Sequence, residues 1–82
     1  MSTYNDEKFL SALKPKDRAK VKKVLGEGNL KRKLLDMGII PGVLVEVVKL
    51  APLGDPIEIK IKGYNLSLRK DEASQIFVEV EA

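Results

Sequence analysis

The sequence predicts a mainly β domain, a small, partly open five-stranded barrel of the SH3-like kind, with one short inserted helix and a short N-terminal helical turn. Three observations lead there. Apolar residues alternate with polar ones in several short runs, the period of half-buried strands. Gly, Pro and Asn clusters interrupt those runs and mark turns. At 82 residues the chain suits one domain, 1–82. A small antiparallel sheet that curls toward a barrel leaves few bare edges. An oligonucleotide-fold barrel has the same strand number and is the alternative architecture.

The elements follow in order. Phe9, Leu10 and Leu13 have helical spacing, so one or two turns are expected between Asp6 and Leu13. Pro15 ends them, because the residue before proline avoids the α region. From Asp17 to Val24, Arg18, Lys20 and Lys22 alternate with Ala19 and Val21. The alternation slips at Lys22-Lys23, where a β-bulge would restore it. Gly26-Glu27-Gly28-Asn29 is a turn, with Asn29 as N-cap of a helix over Leu30–Met37. Gly38 follows as its left-handed terminator. Pro41-Gly42 turns the chain again.

Val43–Leu50 is rich in β-branched residues, which favours a strand. Val43, Val45 and Val47 share one face, while Leu44, Glu46 and Val48 share the other. Both are largely apolar, which places this strand near the centre of a curved sheet. Pro56 can open the next strand, where Ile57, Ile59 and Ile61 alternate with Glu58, Lys60 and Lys62. Gly63-Tyr64 is expected to be the hairpin turn, and Leu66 and Leu68 alternate with Asn65, Ser67 and Arg69 on the return strand. Lys70–Ser74 reads as a helical turn. Ile76, Val78 and Val80 belong to the last strand.

Composition restricts function. Hydrophobic residues at 44% with charged residues at 33% are incompatible with disorder. There is no Cys and no His. The chain therefore has no thiolate nucleophile and no side chain that ordinarily titrates near neutrality. Ser2, Ser11, Ser67 and Ser74 lack a base, and no carboxylate pair has acid–base spacing. We expect no enzyme and no cofactor. Zinc and ferrous iron favour imidazole or thiolate ligands, so no metal site is expected either. The apolar run Val43-Leu44-Val45 stops at Glu46, which argues against membrane insertion. Asp6, Glu7 and Lys8 stand where a signal peptide would be apolar. The expected compartment is the cytoplasm.

The net charge is +3, unevenly spread. Nine basic residues lie between Lys14 and Lys33 against Asp17 and Glu27, and only acids occur from Asp71 onward. The face of Arg18, Lys20 and Lys22 reads either as a phosphate-binding patch or as a solvated sheet face. Lys31-Arg32-Lys33 opposes the macrodipole at a helix start, a small cost that suggests use by a partner. Pro52-Leu53-Gly54-Asp55-Pro56 is a stiff loop. It either presents Leu53 to a partner at little entropic cost or folds Leu53 back onto the barrel end. Tyr64 is either an interface anchor or an isolated aromatic. Aromatics are only 5% of the chain, so the stacking platforms of single-strand binders are scarce. A nucleic-acid-binding barrel is kept as an alternative, but no nucleic acid is expected as partner. Weak self-association through an exposed apolar loop is compatible with the pattern.

The punctuation also has a familiar order. Arg32-Lys33-Leu34-Leu35-Asp36-Met37-Gly38-Ile39-Ile40-Pro41-Gly42 resembles the helix-to-turn signature of the FeoA family. Ala51-Pro52-Leu53-Gly54-Asp55-Pro56 is similar to its most distinctive loop. Gly63-Tyr64-Asn65-Leu66-Ser67-Leu68-Arg69-Lys70 with Glu72-Ala73 resembles its closing hairpin, and Leu13-Lys14-Pro15 matches near the start. The resemblance runs from about Leu10 to Val80. Lys16 departs from it where glycine is usual, and Lys33 departs where arginine is common. The second change keeps charge but loses a bidentate fork.

The resemblance implies a small cytosolic SH3-like barrel. Its partner would be FeoB, a large membrane protein with a GTPase domain that carries ferrous iron into bacteria, and binding on the cytoplasmic side would modulate uptake. Transition-metal binding enters only by family association. Related domains close metal-dependent repressors, so a free-standing regulatory domain is a further alternative. The expected partner-binding residues are Pro52, Leu53, Gly54, Asp55 and Pro56, with Lys31, Arg32, Lys33 and Tyr64.

Overall fold

Strands form where the alternating pattern lets one face be buried, and the computed structural model, which describes residues 6–81, has six of them. They are β1 (Asp6–Phe9), β2 (Arg18–Val24), β3 (Leu44–Leu50), β4 (Ile57–Ile61), β5 (Tyr64–Leu68) and β6 (Ile76–Val80). Two helices interrupt them, α1 (Asn29–Asp36) and α2 (Lys70–Ala73). All pairings are antiparallel, in the order β1-β6-β2-β3-β4-β5. The sheet is not closed; β1 and β5 are its edges. Residues 1–5 and 82 of the expected domain, Ser2 among them, lie outside the described residues.

One face of the sheet carries the core. Ala19, Val21, Val45, Val47, Ile57, Ile59, Ile61, Leu68, Ile76 and Val78 are buried there with Leu34 and Ile39. The expected bulge is real: the β2–β6 register shifts between Val21 and Lys23. It lets Val24 point inward after two consecutive lysines.

Several expectations need correction. Asp6–Phe9 is not helical but an added strand, paired with β6 through Phe9↔Phe77, whose rings meet edge to face at 5.3 Å. Only Leu10–Ala12 forms a 3-10 turn. So short a helix has a costly nucleus, whereas a strand gains a ready-made partner. Gly28, at φ 59°, occupies the N-cap of α1, and Asn29 is the first helical residue. β3 does lie near the centre of the sheet, between β2 and β4, although its outward face is open to solvent, with Leu44 56% exposed and Val48 exposed as well. The hairpin turn is Lys62-Gly63, since Ile61 pairs with Tyr64.

Two lysines occupy left-handed backbone. Pro15 and Lys16 are the central residues of a turn closed by the Asp17 N–H donating to the Lys14 carbonyl at 3.0 Å. Lys16 has φ 78°, the third-position geometry that glycine adopts freely. The turn keeps its shape because the Lys16 N–H donates to the Val47 carbonyl at 2.8 Å and Asp17 Oδ2 accepts from the Lys14 N–H at 2.9 Å. Lys62 has φ 49° in a two-residue turn, where Asn, Asp or Gly is preferred. A left-handed L-residue costs roughly 1–2 kcal/mol, offset in part by glycine's larger entropy loss. Lys16→Gly is therefore expected to raise the unfolding free energy by about 1 kcal/mol, read as a higher urea midpoint. An unchanged or lower midpoint would mean that the lysine side chain makes good the strain.

Candidate partner-binding surface

The segment between β3 and β4 is a closed loop. The Gly54 N–H donates to the Ala51 carbonyl at 2.7 Å, and the Ala51 N–H donates to the Pro56 carbonyl at 3.1 Å. Pro52 and Leu53 fill the centre of that inner turn, and Leu53 is 90% exposed. It does not fold back onto the barrel end. Pro52, Asp55 and Pro56 are exposed beside it, and Gly54 is half-buried. Asp55 also has a structural role. Its Oδ1 accepts the Lys70 N–H at 3.0 Å and so supplies an acceptor at the start of α2.

The basic run on α1 divides. Lys31 and Arg32 are exposed and stand outside the ion pairs found among the described residues. Lys33 reaches Glu72 instead, its Nζ donating to Oε2 at 2.8 Å. Glu72 is buried, and its Oε1 accepts the Arg69 N–H at 2.9 Å. The Lys33 hydrogen bond and the Arg69 backbone hydrogen bond together hold the Glu72 carboxyl below its ordinary range, against the opposing effect of burial. α2 thus ties to α1 through Glu72 and to the Leu53 loop through Asp55. Lys31, Arg32 and the loop belong to one bonded framework.

Tyr64 is engaged elsewhere. Its hydroxyl donates to the Met37 carbonyl at 2.9 Å, at the end of α1. There the Gly38 N–H donates to the Leu35 carbonyl and the Ile39 N–H to the Leu34 carbonyl, the paired bonds of a glycine-terminated helix. A Cβ on Gly38 would lie 2.7 Å from the Tyr64 hydroxyl, and Gly38 has φ 95°. The tyrosine clamps the hairpin to the helix end, while the residue itself stays 44% exposed. The Arg18, Lys20, Lys22 face is solvated and partly paired, with Arg18–Glu81 at 3.6 Å and Lys22–Glu79 at 3.8 Å.

Sequence reasoning missed the exposed Ile40 and Leu44. The available signal was Glu46, a charge on the face of Leu44 and Val48, which argues for solvent on that side. Among the described residues no three His, Cys, Asp or Glu side chains are grouped to hold a metal ion, and no helix is long and apolar enough to cross a membrane.

Comparison with known proteins gives a consistent result. The family model described as "FeoA domain" matches residues 9–80. A Porphyromonas gingivalis Fe(2+) transport protein A/Fe(2+) transporter FeoB fusion protein is 41% identical over 71 residues, which are 87% of this chain. The match spans only 8% of that fusion. The solution structure of an FeoA-like protein from Clostridium acetobutylicum is 40% identical, with a TM-score of 0.84 over 98% of this chain and 90% of that one. A zinc complex of Stenotrophomonas maltophilia FeoA, described as a procaryotic SH3 domain protein, is 27% identical, with a TM-score of 0.75 over 84% of this chain and 86% of that one. The SH3-like fold class is thereby established, with the sheet left open.

The Glu72 geometry has a pH consequence. Its folded pKa lies below the ordinary 4.5. Its stabilisation is therefore fully present above about that pH and is lost as pH falls through the depressed folded value. Glu72→Gln should destabilise the protein by about 1–2 kcal/mol at pH 7, at the lower end for a charged hydrogen bond because Lys33 is largely exposed. The gap to the wild type should narrow below about pH 4.5, as measured by urea unfolding across the acid range. A gap independent of pH would assign the effect to packing.

Proposed function

The chain belongs to the FeoA family, and on that premise we propose that it is an accessory protein of bacterial ferrous iron uptake, binding the cytoplasmic part of a FeoB-like transporter and modulating it. One observation carries this reading: in Porphyromonas gingivalis a segment 41% identical to this chain is part of a single FeoA/FeoB fusion protein. Fusion keeps two modules at high effective concentration. Separate chains that act together need a contact surface strong enough to replace the covalent link.

The Leu53 loop suits that purpose. Its turn is closed at both ends by backbone hydrogen bonds and by Asp55, so little freedom is lost when Leu53 is buried by a partner. An apolar side chain that is 90% exposed gains the most from desolvation. Lys31 and Arg32 add steering toward an acidic surface, which affects association rate more than final affinity. Lys33 and Tyr64 contribute by holding α1 in place and are not contact residues in this reading. The mode of action is binding, without catalysis, in the cytoplasm. Iron is the transporter's cargo, and this chain acts on the transporter.

Leu53→Asp should weaken capture of the FeoB-like transporter from detergent-solubilised bacterial membranes at least ~10-fold, the effect of losing a central apolar anchor. Its circular dichroism and thermal midpoint should match the wild type, because Leu53 stands outside the core cluster. Undiminished capture by a folded variant would move the contact away from this loop. Capture of no such transporter by the wild type would overturn the functional reading itself.

A further inference from the structure

Two shallow hollows meet at Leu44, at the end of β3 opposite the Leu53 loop. One, of about 490 Å³, is lined by Ile40, Pro41, Gly42 and Val43. The other, of about 270 Å³, is lined by Arg18, Glu46, Lys60 and Gly63 among others. Leu44 and Lys62 line both. Ile40 and Leu44 supply exposed apolar surface there, while Arg18, Lys60, Lys62, Glu46 and Glu81 line the smaller hollow with charge.

Charge surrounds Leu44 asymmetrically. Arg18 pairs with Glu81 at 3.6 Å, and Glu46 lies between Arg18 and Lys60 in the strand register. Lys20 stands directly opposite Leu44 across the β2–β3 ladder. Lys20 and Lys62 stand outside the ion pairs found among the described residues. Lys62 moreover holds a left-handed turn position that Asn or Gly would occupy at less cost.

We propose that the groove at Leu44 docks an acidic segment of a partner protein, seating one apolar side chain beside Leu44 and Ile40 while flanking carboxylates meet Lys20 and Lys62. Complementary charge selects the occupant. An apolar anchor between two unpaired cations rejects a basic peptide by like-charge repulsion and leaves a purely acidic one without its anchor. This inference does not depend on the transporter reading and concerns a surface separate from the Leu53 loop.

The test is an amide NMR titration of the isotope-labelled full chain with the hexapeptide DELLED, with DESSED, KRLLKR and an oligothymidylate as comparators. DELLED should give saturable shifts at Gly42, Leu44 and Lys62 that weaken as salt rises. DESSED and KRLLKR should shift these amides little. Lys20→Glu with Lys62→Glu should weaken binding ~5–10-fold, and Leu44→Ser by a similar factor, with the rest of each spectrum unchanged. Four results would each overturn the proposal. They are no saturable shift with DELLED, an equal response to KRLLKR, tighter binding of oligothymidylate at the same amides, and concentration-dependent shifts there without any ligand. The last would mean that a second copy covers the groove.

Discussion

The Glu72 carboxylate accepts hydrogen bonds from two directions, the Arg69 N–H on Oε1 and the Lys33 ammonium on Oε2. A four-residue helix such as α2 has no stability of its own, because nucleation costs more than one turn returns. Its first N–H groups also need acceptors. Glu72 supplies one to the N-cap Arg69 N–H and Asp55 supplies one to the Lys70 N–H. With α2 closed in this way, Ala73 and Ile76 enter the core, β6 starts in register against β2, and α1 and the Leu53 loop are held to the same support. Burying a carboxylate is costly unless it is paired. The Lys33 and Arg69 hydrogen bonds outweigh that burial and hold the Glu72 carboxyl below its ordinary range.

The open sheet sets a second constraint. A six-stranded antiparallel sheet with one packed face must leave its other face in water. Here that face carries ion pairs, the Phe9–Phe77 contact and the exposed Leu44. The FeoA fold in this chain therefore displays leucine at both ends of β3, at Leu44 within the sheet and at Leu53 beyond it. The two differ in setting. Leu53 stands out from a tethered turn, whereas Leu44 lies in a shallow depression between cations.

Much of this was legible in the sequence wherever a local rule coincides with the tertiary outcome. Ile57, Ile59 and Ile61 alternate without interruption and are all buried. The doubled Lys22-Lys23 announced its bulge, and Gly38 its helix end. What escaped was decided by partners distant in sequence. Nothing within Asp6–Phe9 reveals that β6 offers an edge, so helical spacing around Leu10 misleads there. The apolar character of Leu44 and Val48 placed β3 centrally, as it is, but side-chain character alone does not show which face is covered. For Lys33 and Tyr64 no internal partner was evident from the sequence. Their actual bonds, to Glu72 and to the Met37 carbonyl, span 39 and 27 residues of chain, beyond any local pattern. Lys16 holds a left-handed turn position without being glycine, since two neighbouring hydrogen bonds fix the backbone whatever the side chain.

The two edges of the sheet are unequal. Along β1, Asp6, Glu7 and Lys8 are charged, and exposed edge charges resist the approach of a foreign strand. Along β5, Tyr64, Asn65, Leu66, Ser67 and Leu68 carry no charge at all. A stray extended segment would therefore meet electrostatic opposition at β1 and little at β5. Of the two edges, β5 is the one less defended against strand addition.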